Sequence, residues 1–195
     1  MNDVRAHSST VVLGPASYPI TQANAMAFSG VIDPALADQL IASAVHYFQH
    51  KTCHQLCEVT YSQNWDGFPC QFNLDWSPVQ SVTWVKYRDV NGVQTTLDAS
   101  QYWSSLNAYP PRIIQAYGVV WPETQLGRPE SVEVQYVAGY DSYATIEPGI
   151  LRGLYGLISL WSKLPEPVVW AGGIPKDIPH SLNALMGLYS RKGYA

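Results

Sequence analysis

His46, His50, Cys53, His54 and Cys57 fall within twelve consecutive positions and form the densest group of reactive side chains in the sequence. If one helix ran unbroken through them, all five would share a face, and imidazole with cysteine thiolate is a donor set that zinc favours. Lys51-Thr52 and the β-branched, strand-like run from Leu56 argue against such a helix. It is expected to stop near residue 52, leaving Cys57 on a strand that points elsewhere. No second ligand pair at finger spacing follows. The five are therefore read as solvated helix-face histidines and small buried cysteines, with no metal assigned.

Other reactive constellations fail on context. A serine nucleophile needs a sharp turn, a histidine base and an orienting acid, and the sequence has no G-x-S-x-G elbow. His180-Ser181 stands at the start of a helix, where serine serves to satisfy free backbone N–H groups. Carboxylate pairs for glycoside chemistry could be drawn from Asp66, Asp75, Glu130 and Glu133, with Trp65, Trp76 and Trp121 as sugar-stacking platforms. Nothing in their spacing fixes either separation which that chemistry requires. Gly172-Gly173 lacks the lysine and the strand-to-helix setting of a phosphate loop. No catalytic residue and no cofactor site is assigned.

The elements that must carry these residues are legible from periodicity and turn chemistry. Gly14, Pro15 and Pro19 mark residues 1–20 as an irregular arm. Thr21 caps a short helix over 22–28, and Asp33-Pro34 opens a second whose apolar Leu36, Leu40, Ile41, Ala44, Val45 and Phe48 recur at helical spacing. The period then changes. Short runs over 56–65, 71–75, 79–87, 93–97, 101–104, 112–114 and 131–137 are rich in Val, Thr, Tyr and Trp and separated by turn residues. Asn91-Gly92 between two of them is a hairpin signal, since both residues tolerate positive φ.

Glu147-Pro148 starts a helix that is apolar nearly all round and is expected to be buried on most sides. Gly149, Gly153 and Gly156 along one side of it would let another backbone approach closely. The stretch 164–178, with Pro165, Pro167, Gly172, Gly173 and Pro175, reads as a long loop, and Pro179 opens a last helix with Leu182, Leu185, Met186 and Tyr189 on one side. The expected fold is thus α+β: a small bundle from the N- and C-terminal helices with an inserted antiparallel β-lobe. Its parts are an arm (1–20), helices (21–55), a β-rich insertion (56–146) and closing helices (147–195).

Composition narrows the function. The 195 residues carry 47% hydrophobic side chains but only 13% charged ones, with 12% aromatics. Disordered chains have the opposite balance. A formal net charge of −4 disfavours a basic nucleic-acid binder. No run is apolar and long enough to cross a bilayer and no secretory signal is evident, so no membrane role is expected. Three cysteines do not make a disulfide scaffold, and a reducing compartment fits. Protein interfaces are depleted in Lys, Glu and Asp and enriched in Tyr and Trp, so this surface reads as one partly covered by other chains. Charge is also uneven: residues 98–147 hold six acids against two bases, and residues 151–195 five bases against two acids. A basic end and an acidic middle can meet head to tail between copies and close a ring.

The ordered set of fold-shaping residues resembles the head–tail connector (adaptor) proteins of long-tailed phages, the ring proteins placed directly below the portal. It consists of Pro19-Ile20-Thr21, the helix from Asp33-Pro34, Asp66-Gly67-Phe68-Pro69, Ser77-Pro78-Val79, Asp89-Val90-Asn91-Gly92, Pro111-Arg112-Ile113-Ile114, Trp121-Pro122, the run from Val132 to Tyr140, and Ile178-Pro179. The match departs from the family pattern at Cys53-His54, where a Gly-Arg turn is usual, and in residues 1–18.

The resemblance implies a structural virion protein of the neck, assembled in the host cytoplasm, with no catalysis and no cofactor. It implies a dodecameric ring of this chain. The partners would be the portal protein, a stopper or tail-completion protein, and double-stranded DNA passing without sequence-specific contacts. On that footing Arg191, Lys192 and Tyr194 are the expected portal-facing residues. Gly149, Gly153, Gly156, Trp161 and Trp170 are the expected self-assembly surface. A ligand- or carbohydrate-binding β-lobe using the clustered tryptophans is the alternative.

Overall fold

The computed structural model describes residues 6–163 and 179–190, so residues 164–178 and 191–195, with Trp170, Arg191, Lys192 and Tyr194, lie outside the described residues. The fold is α+β, with four α-helices and eight strands among the described residues. Packing divides the chain into two units. One, the β unit, comprises residues up to 15 together with 58–141; the other, the helical unit, comprises 16–57 and the described residues from 142 to 190.

In the β unit, β1 (Ala6–Leu13), β2 (Val59–Trp65), β8 (Val132–Ala138), β4 (Val79–Arg88) and β5 (Gln94–Thr96) form one antiparallel sheet in that spatial order. A second sheet holds β3 (Gln71–Asn73), β7 (Arg112–Gln115) and β6 (Tyr102–Ser105). Strict alternation fixes which face is dry. Val59, Tyr61, Gln63 and Trp65 of β2 and Val132, Val134, Tyr136 and Ala138 of β8 are buried, while the residues between them are mostly half-exposed. The small sheet adds Phe72 and Ile113, both fully buried. Trp65 meets Phe72 edge-on with ring centroids 4.9 Å apart.

The hairpin β4–β5 turns at Asn91-Gly92. Gly92 stands at φ +80°, and the Asp89 carboxylate accepts from the N–H groups of Asn91 and Val93, each at 2.9 Å. The N-terminal segment corrects the expected irregular arm. Residues 6–13 form β1 on the outer side of β2, with Val11 opposite Tyr61. The glycine and proline signals that suggested an arm apply only to residues from Gly14 onward.

In the helical unit, α1 (Gln22–Ser29) is capped by Thr21, whose Oγ1 accepts from Asn24 N–H at 3.3 Å, and it ends at Gly30 with φ +77°. Asp33 caps α2 (Pro34–Thr52) through Ala35 N–H at 3.0 Å, with Pro34 in the first turn where its missing N–H is not needed. Ala37, Ile41, Ala44, Val45 and Phe48 make the buried stripe of α2. Opposing apolar side chains come from Ile150, Leu154, Leu157 and Ile158 of α3 (Pro148–Trp161) and Met186 of α4 (His180–Leu188). The helix α3 is less enclosed than its composition suggests: Leu151, Tyr155, Leu160 and Trp161 are half-buried and Arg152 is exposed. No helix among the described residues is long and apolar enough to cross a membrane.

Candidate assembly surfaces

The histidine–cysteine group is dispersed by the end of α2. Cys53 takes the left-handed conformation at φ 53° and terminates the helix at Thr52, as the sequence leads one to expect. His46 and His50, one turn apart, bring tilted rings to a centroid distance of 4.2 Å, and burial followed by the neighbouring His46 lowers the pKa of His50. Past the helix end the environment changes. His54 is buried, with Nδ1 3.4 Å from the Tyr189 carbonyl oxygen. Cys57 is buried too, and desolvation pushes its thiol up to about 11 against a lowering hydrogen bond from Tyr143. Among the described residues no three metal-ligating side chains converge.

The carboxylates and tryptophans of the glycoside and sugar-stacking readings are engaged in structure. Asp66 Oδ1 accepts from Glu130 N–H at 3.0 Å and helps hold Glu130 at φ +53°. Glu130 Oε1 accepts from the Ser8 hydroxyl at 2.8 Å, and Glu133 Oε1 from the Ser62 hydroxyl at 2.5 Å. Trp65 is 2% exposed. Trp76 stacks on Tyr61 at 5.4 Å, and Trp121 stacks on Phe68 at 4.9 Å while its Nε1–H donates to Pro69 O. The tryptophans that suggested a sugar platform therefore spend their faces on neighbouring rings of the β unit. Lys86, Arg88, Arg128, Glu130 and Glu133 line a polar cleft of about 290 Å³, a mixture of signs that selects no simple ligand charge.

The glycine stripe of α3 makes its close approach within the chain. A Cβ at Gly149 would collide with the Tyr189 ring, one at Gly156 would stand 2.7 Å from Leu182 Cδ2, and one at Gly153 3.3 Å from Leu185 Cδ2. Within the chain these glycines seat α4 and Tyr189 after it, on the side where contact with another copy is expected. Trp161, expected on the same surface, packs edge-on against Tyr47 at 5.8 Å and is half-buried.

Apolar exposure lies elsewhere. In the helical unit Phe28, Ile32, Leu36 and Leu188 are exposed. In the β unit the end of β1 shows Val11 (58%), Val12 (54%) and Leu13 (68%) to solvent. Sequence reasoning missed β1 because its AHSSTVVL carries no punctuation of its own, and the nearest turn signal is Gly14-Pro15 just beyond its end.

With this architecture in view, comparison with known proteins is informative. No family model matches the sequence, and no curated protein matches it. Among solved structures the fold is similar to a chain of the virion of native gene transfer agent (GTA) particle, with TM-score 0.73 and 18% identity over 93% of this chain and 94% of that one. It is similar also to a chain of the neck of empty GTA particle computed with C6 symmetry (TM-score 0.72, 18% identity, 94% and 95% covered). A third similar chain comes from the neck of native GTA particle computed with C12 symmetry (TM-score 0.65, 21% identity, 92% and 94% covered). The likeness runs through both units and nearly the full length of each chain. The fold is shared with these chains of GTA particles.

Proposed function

We propose that this chain is a head–tail connector: a non-enzymatic virion protein that forms a homo-oligomeric ring in the neck, below the portal, and encloses a conduit for genomic DNA. The observation that carries the reading is the end-to-end likeness to chains of GTA necks, with over nine-tenths of both chains covered. The C12 and C6 symmetries used for those particles favour a ring of twelve here. Scarce charge and abundant Tyr and Trp suit a subunit flanked on several sides. A net charge of −4 suits a conduit that must not grip phosphates.

The C-terminal Arg191, Lys192 and Tyr194 face the portal in this proposal, with a stopper or tail-completion protein on the opposite side of the ring. Subunits are made and assembled in the host cytoplasm. Electron microscopy of the full chain mixed with its portal tests the role directly: a ring seated on the portal is expected, and subunits that remain solitary overturn it. Deleting residues 190–195 is expected to leave a folded chain that no longer joins the portal. Normal joining after that deletion overturns the docking site alone.

A further inference from the structure

Among the described residues, two edges of the larger sheet have no strand beside them. On one side β1 has β2 as its one described partner; on the other, β5 pairs with β4 at residues 86–88, Leu97 N–H donates to Val85 O at 2.8 Å, and no described strand pairs with residues 79–84 on that side. An unpaired edge presents a row of backbone N–H and C=O groups, and proteins that stay single blunt such edges with lysine, proline or other charge. Neither edge carries any of these. β1 reads AHSSTVVL, and residues 79–84 read VQSVTW, without one charged side chain or proline between them. Gln80, Ser81 and Thr83 are exposed on the second edge, as are Ser9, Thr10 and Val11 on the first.

The two edges also fit each other. Each step across the sheet from β1 to β2, β8 and β4 is antiparallel, so β1 runs opposite to β4. The ladder sets Val11 level with Tyr61, Tyr136 and Val82, which places both bare edges at the same height on opposite sides of the sheet. Contact between two identical β1 edges would create a two-fold axis and stop at a pair, whereas contact between two different edges repeats head to tail and can close a ring. Register shifts bound the regular part of β1 to residues 8–11, and β4 is interrupted between Val79 and Ser81 and between Val82 and Trp84. Such interruptions restrict the edge to one short pairing and oppose open-ended stacking.

We propose that β1 of one copy adds to the free edge of β4, residues 79–84, of a second copy of this chain, joining their sheets around the ring. The inference rests on the ring proposed as this chain's function and names the strands that make it. The full chain, alone and mixed with its portal, is examined by mass photometry and by hydrogen exchange of the assembled and single forms. Assembly is expected to slow exchange about tenfold or more at residues 8–11 and 79–83. Val12→Lys is expected to reduce assembly at least about tenfold, and adding Ser81→Glu to restore it, because at the height the ladder sets residue 12 stands opposite residue 81 and the new charges meet across the joint. Rings whose β1 amides exchange as in the single chain, or that form unchanged with Val12→Lys, overturn the strand pairing and leave the ring itself standing. A two-copy end point with protection in β1 alone overturns the β4 acceptor. A chain that never exceeds one copy under either condition overturns both.

Discussion

The helical and β units solve the same problem, covering apolar surface and backbone, in opposite ways. In the helical unit the feature that most invited a partner, the glycines of α3, is filled from within: Leu182 and Leu185 of α4, and Tyr189 just past its end, occupy the notches. In the β unit the inner face is closed by Trp65, Phe72, Tyr136 and their neighbours, yet the sheet ends in two uncharged edges that no described strand pairs. Small residues thus mark where a chain approaches itself, and missing charge beside unpaired backbone marks where it leaves room for a copy. The proposed ring needs both, a subunit firm enough to keep its shape and a joint that forms only on assembly.

The largest effects should come from each unit's aromatic core. Phe48 in α2 and Phe72 in β3 are both fully buried. Truncating either to alanine removes a ring and leaves a cavity, at about 3–5 kcal/mol. Five of the seven tryptophans lie in the β unit. Urea titrations followed by tryptophan fluorescence and by helical circular dichroism are expected to separate the two variants: Phe72→Ala loses fluorescence first, and Phe48→Ala loses helicity first. Identical curves by both probes for both variants would erase the distinction between units.

A second effect is confined to the helical unit and to alkali. The Cys57 thiol titrates near 11 in the fold against an ordinary value of 9.0. A raised acid is neutral in the folded state where the unfolded chain already ionises, so stability is intact below pH 9 and falls as pH rises towards 11. A difference of that size corresponds to roughly 3 kcal/mol. Cys57→Ala is expected to remove that part of the alkaline loss. Denaturation midpoints compared at pH 7 and about pH 10.5, inside the window that linkage sets, check it. An equal alkaline loss in both proteins would refute it.

Gly156→Leu probes the close approach itself. Its side chain must displace Leu182 from α4, an overpacking of about 1–3 kcal/mol. Urea midpoints are expected to fall by that amount, while the mass distribution of assemblies keeps its peak, because the stripe serves α4. Ring loss with unchanged stability would return the glycines to the subunit interface. Smaller again is Asp33→Ala, which removes the α2 cap at Ala35 N–H and is expected to lower stability by about 1 kcal/mol in the same titration.

Local chemistry made most of this fold readable. Thr21, Asp33-Pro34 and Asn91-Gly92 act through hydrogen bonds and dihedrals of their own neighbourhood, and the elements they start or turn lie within a residue or two of where the sequence places them. The strand expected from residue 56 begins at Val59: the N–H groups of Leu56 and Cys57 donate to the side chain of Gln49 in α2, at 3.0 and 3.4 Å, a contact that spacing alone does not announce. β1 was hidden because an edge strand is recruited by the backbone of β2, and the pairing Val11–Tyr61 crosses fifty residues. The glycine stripe announced a close approach but could not name the visitor, since Tyr189 reaches Gly149 only after α4 folds back.

The smallest expected effect bears most directly on the contrast between the units. Val12 is 54% exposed at the outer edge of β1, so lysine there loses little buried area and its stem can lie along the strand. Stability of the single chain is expected to stay within about 0.5 kcal/mol of wild type. The same substitution placed at a core site such as Val134, which is fully buried, would unfold the β unit. A midpoint unchanged by Val12→Lys, measured beside its assembly defect, separates a joint from a core. A drop of several kcal/mol would instead mean that the β1 edge is already spent on holding the single subunit together.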